Sequence, residues 1–166
     1  MRSASIRIAR RYPLDLRDSM AVCDANYIRL LKLLPVMGLH SSREIWLHAP
    51  GVEAAESPWQ RIVMVVIDTQ RYTTTLSIRL LSDGAQQEHY RPPHMLVRLY
   101  HDADTAEVVR YQEQGGFHLC GQPGLHPQFS VDEKQQVNAF LGEWLALCMD
   151  QGLGSSPVFA DLASTD

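Results

Sequence analysis

The chain has few cysteines, and their number is odd. Only Cys23, Cys120 and Cys148 occur among 166 residues, and their spacing matches neither a zinc site nor a redox pair. A disulfide framework is therefore not the basis of the fold, and a chain of this length buries enough surface to fold without one. We interpret all three as reduced, buried and inert thiols of a cytoplasmic protein.

Long apolar runs are also missing. No stretch approaches the roughly 20 apolar residues that a membrane-spanning helix needs. Near the N-terminus, Arg7, Arg10 and Arg11 interrupt any apolar core that a secretory leader would have. We therefore expect a cytoplasmic location and no membrane partner.

Basic residues are outnumbered by acidic ones, 15 to 19, which gives a net charge of −4. A domain that wraps nucleic acid needs a basic footprint, so we expect no nucleic-acid partner. The arginines before residue 12 form one basic cluster, which we interpret as a flexible chain end. The composition otherwise indicates one globular domain. We divide the chain into a basic segment (1–12), a single α+β domain (13–152) and a tail (153–166).

Two segments have the apolar spacing of amphipathic helices. The first spans 15–34, with apolar residues at steps of three and four, and Pro35 ends it. The second begins at a capping box formed by Ser130 and Glu133. Gly152 fits the left-handed residue that often follows the end of a helix.

The residues between these helices predict strands. The predicted strands span 43–48, 62–67, 72–80, 95–101, 105–111 and 117–120. This order indicates an α+β fold in which an antiparallel sheet of about five or six strands is flanked by an N-terminal and a C-terminal helix. Segment 62–67 is apolar at every position, so both of its faces need cover. Two helices do not suffice for that, and we expect a homodimer.

Several stretches resemble the YqiB-like family of small bacterial proteins. They are Arg71–Thr74, Met95–Ala103 with Ala106–Val108, and Asp132–Leu141 with Trp144, Leu145 and Cys148. In the first helix, Cys23, Asn26, Tyr27 and Leu33 to Pro35 also resemble it. The similarity covers roughly residues 13 to 157 and leaves 49–59 outside. It implies a bacterial, cytoplasmic protein, and it supplies no catalytic residues because the family is a domain of unknown function.

The predicted hairpin over 95–111 carries polar side chains on one face. With a two-residue turn at 103–104, Tyr100 lies opposite Glu107, and Arg98 becomes a diagonal neighbour of Glu107. A loop of three or four residues would shift this register. One interpretation of this face is a site for a small anionic ligand, because arginine forks and a phenol suit phosphate or carboxylate. Its candidate residues are Arg71, Arg79, Arg98, Tyr100 and Glu107. The alternative is a cross-strand Arg98–Glu107 pair, which contributes little.

A metal site is the second candidate. His101, Asp102 and Asp104 are close in sequence, and the stretch 102–104 resembles a fragment of a magnesium site. His89 and His94 could join it from the preceding loop, and Glu107 belongs to the same cluster in the enzyme hypothesis. Aspartates also favour turns, however, and His101 shares the core face of the hairpin. We therefore predict no metal and no cofactor. The runner-up function is a metal-assisted phosphoester hydrolase that uses these residues with magnesium or manganese, and Arg98 on the substrate.

Other catalytic motifs are not apparent in the sequence. The glycine-rich stretch 115–127 has no phosphate-binding lysine motif, and no nucleophile elbow occurs. The sequence favours a non-enzymatic binding or accessory protein, with no catalytic residues. It would use the polar sheet face for a small anion, or a helix surface for a protein partner.

Overall fold

The computed structural model describes residues 16–47, 60–82, 93–113, 116–119 and 131–154. Within them the elements are α1 (Leu16–Leu33), β1 (Ser42–Leu47), β2 (Gln60–Thr69), β3 (Thr73–Ser82), β4 (His94–Tyr100), β5 (Thr105–Glu113), β6 (Gly116–Leu119), α2 (Val131–Gln151) and β7 (Leu153–Gly154). The predicted α+β fold, with a helix before and after an antiparallel sheet, is confirmed. The N-terminal segment 1–12 and residues 155–166 of the tail lie outside the described residues.

The sheet is an antiparallel meander with the strand order β6-β5-β4-β3-β2-β1-β7. Five strands have six to ten residues each, β1 to β5, and β6 and β7 add four and two residues at the edges. After α2 the chain returns to pair Leu153 with Trp46 and Gly154 with Ile45. The sequence analysis placed these last residues in a tail, because two residues are too few to show a strand pattern.

One hydrophobic core lies between the sheet and the two helices. Its buried strand residues occupy alternate positions along each strand. Met64, Ile78 and Met95, for example, lie opposite one another on neighbouring strands. They therefore share one face of the sheet, called here the helix face, and the alternate side chains lie on the second face. Leu30 and Leu141, both fully buried, bring α1 and α2 into the same core. Burying side chains of this size stabilises the fold by about 1.5–3 kcal/mol each.

The apolar strand β2 contributes to both faces. Met64 is fully buried on the helix face, whereas Val63 and Val65 are half-buried on the second face. Ile67 is 43% exposed, and the pairing with β3 is irregular at that point. The homodimer inferred from this strand stays a prediction, which sedimentation equilibrium would test.

The helices meet through polar side chains as well as apolar ones. Asn26 of α1 is fully buried and donates from Nδ2 to the carbonyl oxygen of Asn138 in α2, at 3.0 Å. Gly142 lies directly beneath Asn26, and a Cβ there would come within 2.9 Å of Oδ1. This glycine therefore allows α1 and α2 to approach closely. Within the described chain, neither helix combines the length and the apolar character that crossing a membrane requires.

The conformation predicted for Gly152 is wrong. Its φ lies outside the left-handed range, although its amide donates to the carbonyl oxygen of Cys148 at 3.1 Å. A Cβ at this position would lie 2.2 Å from that oxygen and 2.5 Å from Cγ2 of Ile45. Glycine is needed here because there is no room for a side chain between the end of α2 and β1.

The structure decides the register of the β4–β5 hairpin, which the sequence leaves open between a two-residue turn and a longer loop. The turn has four residues, 101–104, rather than two, so Tyr100 pairs with Thr105, and Arg98 lies directly opposite Glu107. The assignment of faces is unaffected, because both registers place Arg98 and Glu107 on the same side of the sheet.

The longer turn follows from contacts made outside the hairpin. Asp104 has a φ of 52°, a left-handed conformation that aspartate tolerates better than most residues. Burial and then the nearby charge of Asp104 raise the pKa of Tyr27 in α1, and the hydroxyl of this tyrosine lies 3.1 Å from Nδ1 of His101. At the other end of the turn, the amide of His101 donates to the carbonyl oxygen of Tyr72 at 2.8 Å. These contacts with α1 and with the β2–β3 turn fix four residues in place.

Candidate functional site

Glu107 lies at the centre of a polar cluster near the start of β5. Lys134, in the first turn of α2, places Nζ 2.7 Å from Oε2 of Glu107. The hydroxyl of Tyr100, on β4, donates to Oε1 at 3.1 Å. Both carboxylate oxygens of Glu107 are therefore engaged. Burial and then the charge of Glu107 raise the pKa of Tyr100, so that this phenol stays protonated at neutral pH.

Arg98 is left without a carboxylate partner among the described residues, although it lies opposite Glu107. Its side chain is exposed, and Nε donates weakly to Oγ1 of Thr75 at 3.5 Å. The nearby positive charge of Arg98 acts against the rise in the pKa of Tyr100. The predicted Arg98–Glu107 ion pair is thus not formed, because Lys134 and Tyr100 hold the carboxylate.

Two other predicted ligand residues, Arg79 and Arg71, lie farther from Glu107. Arg79 is exposed on the second face, opposite His94. Burial, and then the charge of Arg79, lower the pKa of His94, whose Nε2 is 2.8 Å from the Ser77 hydroxyl. Arg71 lies in the β2–β3 turn, with its guanidinium 5.0 Å from the centre of the Tyr72 ring.

A further arginine, which the sequence analysis missed, completes this surface. Arg110 is exposed on β5 and lies opposite Leu96. We call the surface formed by Arg79, Arg98 and Arg110, with Ser77, Leu96 and His94 between them, the arginine face. From the usual strand spacing and rise, the Cα atoms of Arg98 and Arg110 are roughly 8 Å apart. Those of Arg110 and Arg79 are roughly 12 Å apart by the same geometry.

The charges of the arginine face are not compensated within the described part of the chain. Neither Arg79 nor Arg110 forms an ion pair there. A fourth arginine of the sheet, Arg61, differs, because its Nη1 lies 3.3 Å from Glu44 and its guanidinium lies over Trp46. A cluster of arginines without carboxylate partners attracts anions, even in a protein with a net charge of −4.

A cleft of about 410 Å³ opens on the other side of Glu107. Its walls come from the first turns of both helices and from the hairpin. It is lined by Ser19, Met20, Cys23, Asp24, Ala103, Thr105, Glu107, Lys134, Gln135 and Asn138. The ion pair between Lys134 and Glu107 therefore separates the cleft from the arginine face.

The cysteines of the two helices lie in environments that favour the thiol. Burial raises the pKa of Cys23 to about 11 and that of Cys148 to about 12. Both are free. Because the thiolate is the reactive form, these residues are poor nucleophiles, as the sequence analysis expected. Cys120 lies outside the described residues.

We expect the thiols of a Cys120→Ser variant to react with Ellman's reagent about 100-fold more slowly in the native protein than in urea. Each unit by which the pKa rises lowers the thiolate fraction about tenfold at pH 8. Stopped-flow absorbance gives both rates. Equal rates in the native and unfolded protein would contradict the burial of these two side chains.

The residues of the runner-up metal site lie among protein side chains. His101 contacts the Tyr27 hydroxyl through Nδ1 at 3.1 Å and Oγ1 of Thr74 through Nε2 at 2.8 Å. Asp104 lies near the same tyrosine, whose pKa is raised by burial and then by the charge of Asp104, and Asp102 is exposed. Among the residues that the structure describes, no three His, Cys, Asp or Glu side chains lie close enough together to hold a metal ion.

These features define an α+β protein in which one face of an antiparallel meander packs on two helices and the other presents arginines. The chain belongs to a family of proteins of unknown function, DUF1249, whose model matches residues 29–154. That range includes Arg98, Glu107 and Lys134. The resemblance to YqiB-like proteins stated from the sequence is confirmed.

The relatives found by sequence comparison are bacterial. The chain is 30% identical over 154 residues to "Uncharacterized protein YqiB" of Escherichia coli strain K12, an alignment that covers 90% of this chain and 99% of that protein. The same values hold for the protein of that name in E. coli O157:H7. No solved structure matches the chain significantly.

Proposed function

We propose that the protein is a non-enzymatic binding protein whose arginine face takes a small ligand with two or more anionic groups. The observation that carries the proposal is the position of Glu107. Its carboxylate is held by Lys134 and Tyr100, which leaves the exposed guanidinium of Arg98 available. A guanidinium without a carboxylate partner offers two parallel N–H donors to a phosphate or a carboxylate.

The spacing of the arginines sets the size of this ligand. Arg98 and Arg110, roughly 8 Å apart at Cα, reach a single compact polyanion because their side chains are long and mobile. Arg79 lies on the far side of Leu96 and His94, where it would contact a second anionic group of a longer ligand. We therefore favour ligands with several charges, such as a phosphorylated metabolite or a polycarboxylate, over a single phosphate.

We propose binding without catalysis because, among the described residues, no side chain beside Arg98 is prepared for chemistry. Tyr100, with a raised pKa, remains a neutral donor. Both oxygens of Glu107 are already hydrogen-bonded. We place the protein in the cytoplasm, where thiols such as Cys23 and Cys148, both free, remain reduced.

A thermal-shift titration with phosphate, pyrophosphate and tripolyphosphate tests this function. We expect the melting temperature to rise most with tripolyphosphate, by several degrees at 100 times its Kd, where binding adds about 2.7 kcal/mol. The rise should be lost in Arg98→Gln and should shrink with added salt.

Lys32→Gln is the matched control, because it removes one positive charge from an exposed position of α1. It should keep the rise in melting temperature. Equal responses of Arg98→Gln and the wild type, or no response to any of the three anions, would show that the arginine face is not the site.

A further inference from the structure

We infer that Lys134 is a positioning residue that keeps the arginine face open to anions by holding Glu107 away from Arg98. This inference rests on the proposed function and adds a determinant of affinity that does not itself belong to the arginine face. Lys134 is contributed by α2, whereas Arg98, Arg110 and Arg79 all lie on the sheet.

The register of the hairpin places Glu107 where its carboxylate can compete with an anionic ligand for Arg98. The two residues lie directly opposite each other on one face of β4 and β5, where Cβ atoms are about 5 Å apart. An arginine and a glutamate at that separation can form a bidentate pair. Such a pair would occupy the donors that an anionic ligand needs, and it would place a negative charge beside them.

Lys134 opposes this pairing by giving Glu107 a positively charged partner on its other side. The distance of 2.7 Å between Nζ and Oε2 is that of a charge-assisted hydrogen bond. Tyr100 holds the second oxygen, but as a neutral donor it does not compensate the negative charge. Lys134 supplies that compensation, and its removal would leave Arg98 as the nearest cation facing the carboxylate across the strands.

The position of Lys134 is fixed by the contact between α2 and β5. Asn138 accepts a hydrogen bond at Oδ1 from the amide of Val108, at 2.8 Å, and donates from Nδ2 to the carbonyl oxygen of Lys134, at 2.9 Å. Val108 follows Glu107 in the chain, so one buried asparagine sets the backbones of both partners. The backbone positions of both partners are therefore set by the packing of α2 against β5.

Calorimetric titration of tripolyphosphate into four proteins tests the inference. They are the wild type, Lys134→Met, Glu107→Gln and the double variant. We expect Lys134→Met to weaken binding about fivefold more than the control Lys32→Met does. The released carboxylate of Glu107 would form a surface ion pair with Arg98, and the ligand would have to break this pair at a cost of about 1 kcal/mol, which is about fivefold in Kd. Glu107→Gln should bind at least as tightly as the wild type, and the double variant should bind like Glu107→Gln. Lys134→Arg, which keeps the charge, should restore wild-type affinity.

The outcomes separate this inference from the proposed function. If the wild type does not bind tripolyphosphate, both are overturned. A second outcome is that the wild type binds while Lys134→Met and Lys32→Met have equal affinities, or while the double variant binds as weakly as Lys134→Met. In either case Lys134 acts by its charge alone, and only this inference is overturned. Should Lys134→Met fail to fold, Glu107→Gln decides: binding weaker than that of the wild type would mean that the carboxylate supports the ligand rather than competing with it.

Discussion

Replacing Asn138 by alanine is expected to lower the free energy of unfolding by about 3 kcal/mol. The residue is only 2% exposed, and it joins three elements. Its side-chain oxygen accepts from the amide of Val108 in β5, and its main-chain carbonyl oxygen accepts from Asn26 of α1. Alanine would leave the buried Val108 amide without a partner, which costs about 1–3 kcal/mol, and would open a cavity at the junction.

Urea denaturation followed by circular dichroism measures this change. Gln136→Ala is the matched control, because Gln136 is exposed on the same turn of α2 and its replacement should change stability by less than about 0.5 kcal/mol. If Asn138→Ala were within 1 kcal/mol of that control, water or backbone movement would satisfy Val108, and the junction would not depend on the asparagine.

The second large effect is expected for Gly152→Ala, at about 2–3 kcal/mol of destabilisation. The added methyl group would lie 2.2 Å from the backbone oxygen of Cys148 and 2.5 Å from Ile45. A backbone atom cannot rotate away as the end of a flexible side chain can. The end of α2 would have to move away from β1, an overpacking cost of this order, and the short pairing of β7 with β1 would be lost.

Gly38→Ala is the control for this substitution. A Cβ at Gly38 would meet Oγ of Ser41 at 3.4 Å, a normal contact, so its effect should stay below about 1 kcal/mol. Both variants are compared by the same urea titration. Equal midpoints for Gly152→Ala and Gly38→Ala would contradict the close approach of α2 and β1.

The spacing of apolar residues in the sequence is sufficient to predict the α+β architecture. Steps of three and four predicted α1 over 15–34, against Leu16–Leu33 in the structure, because one helical stripe packs on one core. Alternation likewise predicted the two faces of the hairpin. Periodicity carries no information on tertiary spacing, however. Gly152 was therefore assigned a special φ, whereas its actual constraint is the proximity of Ile45, more than 100 residues earlier in the chain.

The candidate site is harder to predict than the fold, because it too depends on contacts between residues that are distant in the sequence. Alternation predicted that Arg98, Tyr100 and Glu107 share one face. Which residue pairs with which depended on a turn whose length is set by contacts with α1. The decisive partner of Glu107, Lys134, comes from a helix 27 positions later, and no local pattern connects the two. Sequence alone therefore favoured an Arg98–Glu107 pair that the fold does not form.

The most direct test of the proposed function is to titrate the ¹⁵N-labelled protein with tripolyphosphate and to follow its amide resonances. Binding at the arginine face predicts saturable shifts at Ser77, Leu96, Arg98 and Arg110, with little change in α1 and α2, and loss of these shifts in Arg98→Gln. Shifts concentrated at the first turns of the helices, around Ser19 and Gln135, would contradict this account, because they would place the anion in the cleft rather than on the sheet.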